Sequence, residues 1–329
     1  MRKIFLLFLV FSLLIAPFQV WADENTQQIT SSTEEIATGK PVVVEPIIRV
    51  GLYKTKNSVK IVSEVDLYII TGENLVGVLP SGETATLSYT KGTYFLKSDS
   101  LKLESDNFWR VLPSTEDGYF DLPGCGRILS GRKMVYCSYR GILEYRFSPK
   151  SNMPYIINEL PLEDYMKGIA ETDNNSDEDY IKAVLVAARS YAYTFIGSEP
   201  ATEKRLFDVY ANTNDQLYLG YTSEMTMPKV AQFAQDTAGL MVTYNGKVVM
   251  TQYFSRSNGQ TRTWKNSKGI NDRPWLTSVE CKYDKGKSRL GHGYGMSTGD
   301  ALLRATKDGL TFTELLAHYY TNTRLEKIY

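Results

Sequence analysis

The sequence predicts an α+β protein, with a β-rich first half leading into a core of helices and antiparallel strands. Three observations carry this. Short β-branched segments separated by turn residues run from about 46 to 155, helical patterns follow from about 160 to 192, and a hairpin signature lies beyond them, within 238–255.

The β-rich region, 46–155, opens at Pro46. Ile47–Leu52, Val59–Val65, Asp66–Ile70 and Thr84–Tyr89 are predicted strands, and Val135–Tyr139 and Leu143–Phe147 extend the series. An inserted subdomain is expected near 95–135. No acid/base constellation stands out here, so the region reads as structural or substrate-guiding. Cys125 and Cys137 flank a short apolar segment and can pair as a disulfide in an oxidising compartment, which leaves Cys281 over.

The texture changes at residue 160. Pro161 suits a helix start, and Leu162, Tyr165, Met166 and Ile169 share one face. Asn174-Asn175 break that helix. Ser176 is the expected cap of the next, with Asp179 in its first turn. Tyr180, Val184, Ala187, Ala188, Tyr191 and Ala192 follow at helical spacing, and the small alanines let another element approach closely. Leu240–Tyr244 and Val248–Phe254 flank Asn245-Gly246, a pair suited to the left-handed turn of a tight hairpin. Thr311-Phe312-Thr313-Glu314 is a capping box before a helix bearing Leu315, Leu316, His318 and Tyr319.

Export is predicted from residues 1–22. Arg2 and Lys3 precede the apolar run Ile4–Val20, and Val20-Trp21-Ala22 supplies a small-x-small exit before Asp23. Left uncleaved, the same segment would anchor the chain in a membrane. Residues 23–45 are polar, then turn-prone, and read as a tether. Acidic and basic residues number 37 each, which argues against a nucleic-acid binder. The 23 tyrosines suit carbohydrate contacts without establishing them.

Few residues have a pattern suited to chemistry. Glu171 stands at the break between two helices, where partial desolvation would raise its pKa and let it hold a proton for a leaving oxygen. The plain alternative is a solvated carboxylate near a helix end. Arg189 lies in an apolar helix stripe, so its guanidinium must be paired, either as a structural anchor or against substrate. His292 sits among three glycines in Gly291–Gly295, and with Cys281 it supplies two zinc-type ligands, short of a full site. His318 reads as a packing residue. Tyr253–Gly259, with Ser255, reads either as a polar turn or as the lining of a cleft.

Leu160-Pro161-Leu162-Glu163-Asp164-Tyr165-Met166-Lys167-Gly168, followed by Ala187-Ala188-Arg189-Ser190-Tyr191-Ala192, resembles the signature of the SpoIID/LytB family. Phe207-Asp208-Val209, Tyr218-Leu219-Gly220, Thr237-Ala238-Gly239, Tyr253-Phe254-Ser255 and Gly291-His292-Gly293-Tyr294-Gly295-Met296-Ser297 extend the resemblance in order, as do Ile48–Leu52 and His318-Tyr319-Tyr320. It implies a SpoIID-like fold over about 47–329, with 156–329 as its core, that works on peptidoglycan glycan strands at the cell wall. Sporulation-type members cleave MurNAc–GlcNAc bonds as lytic transglycosylases, favour peptide-stripped glycan and leave 1,6-anhydro ends. The LytB branch instead stimulates a cell-wall amidase.

The family places a catalytic Glu after the first signature helix. Counting from Gly168 puts it at Asp173, and counting back from Arg189 puts it at Glu171. The second count runs through the long helix and favours Glu171. The chemistry then needs no cofactor. Tyr165, Arg189, Tyr191, Ser255 and His292 are implied to bind substrate or shape the cleft, and Cys281 with His292 resemble part of a structural zinc site. The chain departs from the family after Glu171, where Thr172–Ser176 contains neither the usual Pro nor the usual Trp. That departure bears on substrate preference and on activity itself.

Overall fold

A computed structural model describes residues 44–125, 137–197, 205–265 and 269–329. The expected signal segment and most of the tether lie outside the described residues. Among those described, no helix is long and apolar enough to cross a membrane.

The order of elements is α+β throughout. Strands β1 (Ile47–Lys54), β2 (Val59–Ile61), β3 (Leu67–Thr71), β4 (Asn74–Leu79), β5 (Ala85–Thr90) and β6 (Thr93–Lys97) come first. They are followed by β7 (Lys102–Ser105), β8 (Trp109–Pro113), β9 (Tyr119–Asp121), β10 (Ser138–Arg140), β11 (Ile142–Ser148) and β12 (Met153–Pro161). Helices α1 (Leu162–Lys167) and α2 (Glu178–Tyr193) precede the short strand β13 (Val209–Tyr210). Then come α3 (Gly220–Thr226), α4 (Pro228–Asp236), β14 (Leu240–Tyr244), β15 (Lys247–Val248) and β16 (Tyr253–Phe254). The last part holds β17 (Met296–Ser297), α5 (Thr298–Asp308), α6 (Phe312–Tyr319) and β18 (Arg324–Lys327).

A seven-stranded sheet, ordered β13-β1-β12-β11-β8-β3-β4, forms the backbone of the first half. A second sheet, β2-β5-β6-β7, accompanies it. The stretch from 95 onward is shared between them, β7 joining the smaller sheet and β8 the larger. Alternation along β1, where Ile48 and Val50 are buried, follows from one sheet face meeting the core. Cys125 and Cys137 are disulfide-bonded, beside the β9–β10 pair.

Helix α2 is the centre of the second half. Ala183 to Ser190 are all buried, because α1, α4, α5, α6 and β14 pack around it. Alanine at 183, 187, 188 and 192 gives these neighbours room to approach. Its cap differs from expectation. The Asp177 carboxylate, not Ser176, accepts from the Asp179 and Tyr180 amides, being the acceptor that reaches the first-turn N–H groups. The capping box at Thr311 and Glu314 forms as predicted. So does the turn at Asn245-Gly246, with φ of 52° and 72°. The strand expected over Val248–Phe254 divides in two: β15 completes the hairpin, whereas β16 leaves it to pair in parallel with β17.

One ion pair locks the helices together. Arg189, with 0% exposure, donates from Nε and Nη2 to both Glu163 oxygens at 2.9 and 2.8 Å. Its remaining donors reach Thr237 Oγ1, the Leu240 carbonyl and the Ala234 carbonyl. Glu163 Oε1 also accepts from the Gly239 amide at 2.9 Å and the Tyr329 hydroxyl at 2.6 Å. Removing one member strands the other charge in the interior. Arg189→Leu is therefore expected to lower unfolding free energy by about 3–5 kcal/mol in urea denaturation. A change within about 0.5 kcal/mol, the size typical of a plain surface site, would show that the pair is not holding the helices.

Candidate active site

The residues after α1 are pinned by a short antiparallel match with the segment before α3. Ile169 and Tyr218 bridge, the Ala170 amide donates to the Leu217 carbonyl at 2.9 Å, and the Leu219 amide donates to the Gly168 carbonyl at 2.9 Å. Gly168 is required by close approach, since a Cβ there would lie 2.5 Å from the Tyr218 ring. This pairing fixes Glu171, whose Oε1 accepts from the Leu217 amide at 2.6 Å.

Glu171 lines a cleft of about 430 Å³. Tyr191, Asp215, Tyr253, Ser255 and His292 line it too. Burial raises the Glu171 pKa above the ordinary carboxylate value, and the single Leu217 amide opposes that only in part. Its charge reaches Tyr165, Tyr180 and Tyr253, whose phenols are raised first by burial and further by the carboxylate. A half-buried carboxyl that keeps its proton more readily than usual, facing a cleft, can serve as a general acid. Asp173 is absent from the cleft lining; its Oδ1 caps the Asn175 amide at 2.8 Å.

The other sequence candidates separate into two groups. Tyr191, Ser255 and His292 reach the cleft, whereas Tyr165 and Arg189 stand behind it. Tyr165 is fully buried and donates to Gln216 Oε1 at 2.8 Å; Gln216 Nε2 in turn donates to the Tyr253 hydroxyl at 3.0 Å. Tyr165 thus holds a cleft wall through Gln216. Tyr191 donates to Asp215 Oδ1 at 3.0 Å, while Arg205 and the Tyr210 amide donate to Oδ2 at 3.0 and 2.8 Å. Asp215, Gln216, Gln252 and Thr298 were not legible as site residues. Asn212–Asp215 reads as an ordinary polar turn, and nothing in its spacing points to Glu171.

The opposite wall is the glycine loop. Its backbone threads close to β16, where a Cβ on Gly295 would lie 2.0 Å from the Gln252 carbonyl. His292 Nδ1 accepts from the Tyr294 amide at 3.0 Å, and its ring stacks on Tyr294 with centroids 5.7 Å apart.

The zinc expectation at Cys281 and His292 is overturned. Among the described residues no three His, Cys, Asp or Glu side chains are grouped so as to hold a metal ion. Cys281 is buried with its Sγ 3.9 Å from the Val279 carbonyl, and burial pushes its thiol up to about 11. His292 lies exposed at the cleft, with one ring nitrogen already occupied by a backbone amide. His318 packs edge-on against Tyr319, with Nε2 2.9 Å from the Glu280 carbonyl.

Comparison with known proteins gives the same family as the motifs. Residues 150–244 match the family model described as "SpoIID: Stage II sporulation protein". An uncharacterized protein of Brachyspira hyodysenteriae is 33% identical over 126 residues, covering 38% of this chain and 33% of that protein. The "Stage II sporulation protein D" of Bacillus amyloliquefaciens is 25% identical over 146 residues, covering 39% of this chain and 41% of its own length. The chain therefore spans less than half the length of each of these relatives.

The raised Glu171 pKa has a stability consequence. A carboxyl whose folded pKa lies above its unfolded value costs nothing while protonated, and destabilises the fold as pH rises beyond the ordinary 4.5. Glu171→Gln keeps an acceptor for the Leu217 amide without the charge. Its melting temperature should exceed the parent's at pH 7, and the gap should close as pH falls below 4.5. Equal melting curves at both pH values would contradict a desolvated carboxylate.

Proposed function

Because this chain belongs to the SpoIID/LytB family, we propose that it acts on peptidoglycan glycan strands at the cell wall as a lytic transglycosylase. The observation that supports this best is Glu171, a single carboxyl with a raised pKa lining a cleft beside hydroxyl, amide and aromatic groups. In the proposed reaction Glu171 protonates the glycosidic oxygen as the bond to C1 breaks. The resulting carboxylate takes the proton of the O6 hydroxyl as that oxygen closes onto C1. The product carries a 1,6-anhydro ring, no water is consumed, and Glu171 ends protonated. One group serves as acid and then base, where hydrolysis commonly uses two carboxyl groups.

Tyr191, Ser255 and His292 are proposed to bind the sugar, with Tyr165 and Arg189 acting from behind by holding the walls. Secretion through residues 1–22 belongs to the same reading. The replacement of the family's Pro and Trp within Thr172–Ser176 favours a second reading, a wall-binding activator of a cell-wall amidase that does not itself cut glycan.

The test is mass spectrometry of products formed from peptide-free glycan by the parent and by Glu171→Gln. Anhydro-ended fragments are expected from the parent, with the rate falling about 10²–10⁴-fold in the variant. Binding without cleavage by the parent would sink the transglycosylase reading. Stimulation of an added amidase by both proteins would then support the second.

A further inference from the structure

Tyr191 and Tyr253 line the cleft with Glu171, and their phenolic hydrogens are placed differently. Tyr191 spends its own on Asp215 Oδ1 at 3.0 Å. The Tyr253 hydroxyl instead accepts, taking a hydrogen bond from Gln216 Nε2 at 3.0 Å. That direction is imposed from behind the wall. Gln216 is fully buried, and its Nε2 also donates at 3.1 Å to the Ala188 carbonyl of α2, an atom that can only accept. The amide end facing Ala188 and Tyr253 must therefore be the nitrogen, which leaves the oxygen to the Tyr165 hydroxyl at 2.8 Å. Both amide hydrogens are then spent, one on Ala188 and one on Tyr253. The chain of bonds from Tyr165 through Gln216 runs one way, and the Tyr253 oxygen can only receive from it.

The phenolic hydrogen of Tyr253 has to point elsewhere, and among the described residues it has no acceptor. The groups whose charge acts on this phenol are Glu171, Tyr165 and Tyr191, two of them cleft residues. Burial first, and the Glu171 charge next, hold it well above the ordinary phenol value, so the hydrogen stays in place. The parallel pairing of Tyr253 with Met296 fixes the backbone that carries the ring. We propose that Tyr253 donates this hydrogen to an oxygen of the sugar bound beside Glu171, and that Gln216 is the positioning residue that keeps the hydroxyl turned that way. This rests on the glycan reading above and adds to it a donor of fixed direction in the cleft wall.

The test measures affinity for peptide-free glycan by calorimetry in the Glu171→Gln background, where binding is read without turnover. Tyr253→Phe removes the hydroxyl and keeps the ring, and it is expected to weaken binding about tenfold. Gln216→Glu reverses the bond: a carboxyl there has at most one hydrogen, spent on Ala188, and it draws the Tyr253 hydrogen inward. It should cost about as much, and the two changes together no more than either alone. Replacing Tyr253 by 4-aminophenylalanine, which keeps a donor at that position, should recover most of the loss, and it carries the test if Gln216→Glu does not fold. Unchanged affinity in Tyr253→Phe overturns the proposal, as does a loss that 4-aminophenylalanine fails to recover. Additive losses from Tyr253→Phe and Gln216→Glu overturn the positioning role of Gln216. If the parent yields no anhydro ends while the Tyr253 dependence of binding is intact, the transglycosylase reading alone falls. A parent that binds no glycan overturns both.

Discussion

The pair between Glu163 and Arg189 is the contact on which the second half depends. A fully buried guanidinium is costly unless every donor is used, and Arg189 uses Nε, Nη1 and Nη2 on one carboxylate, one hydroxyl and two carbonyls. Those acceptors come from α1, the end of α4 and the start of β14. Setting α1 against α2 places Gly168–Glu171 where the 217–219 segment can pair with it, and it fixes the face of α2 that carries Tyr191 into the cleft. The two signature stretches around Glu163 and Arg189 are thus the two halves of one ion pair, and neither residue needs to touch substrate to be indispensable.

The cleft contains two carboxyl groups in different settings. Asp215 accepts from a phenol, a guanidinium and a backbone amide, so its charge is met on both oxygens. Glu171 has a single amide and a wall of tyrosines. Asp215 is held on both oxygens, whereas Glu171 is held on one, and in the proposed reaction it is Glu171 that exchanges a proton.

Much of this was legible because it is local. The fold class, the Asn245-Gly246 turn and the Thr311 capping box follow from residues within a few positions of one another. The two counts that gave Glu171 and Asp173 both pass through residues of the 172–177 loop before α2 begins at Glu178, and only the structure shows Glu171 lining the cleft and Asp173 outside it. What was not legible is long-range. Asp215 and Gln216 matter because a turn is brought against α2, and no periodicity records that. The parallel match of β16 with β17 joins residues more than forty positions apart, and it competes with a hairpin continuation that looked equally good in sequence. The zinc reading failed for the complementary reason. His292 follows Cys281 by eleven positions, but proximity along the chain says nothing of which faces the core and which faces the cleft.

The span of the cleft along the chain, from Glu171 to Thr298, governs when it can exist. Its acid, its hydroxyl walls and its histidine arrive on segments whose contacts are remote in sequence, and such contacts close late in folding. A chain that has formed only α1, α2 and the 217–219 pairing holds Glu171 but lacks the walls supplied by β16 and the glycine loop. The cleft is therefore complete only once the last of its segments, ending at Thr298, has docked.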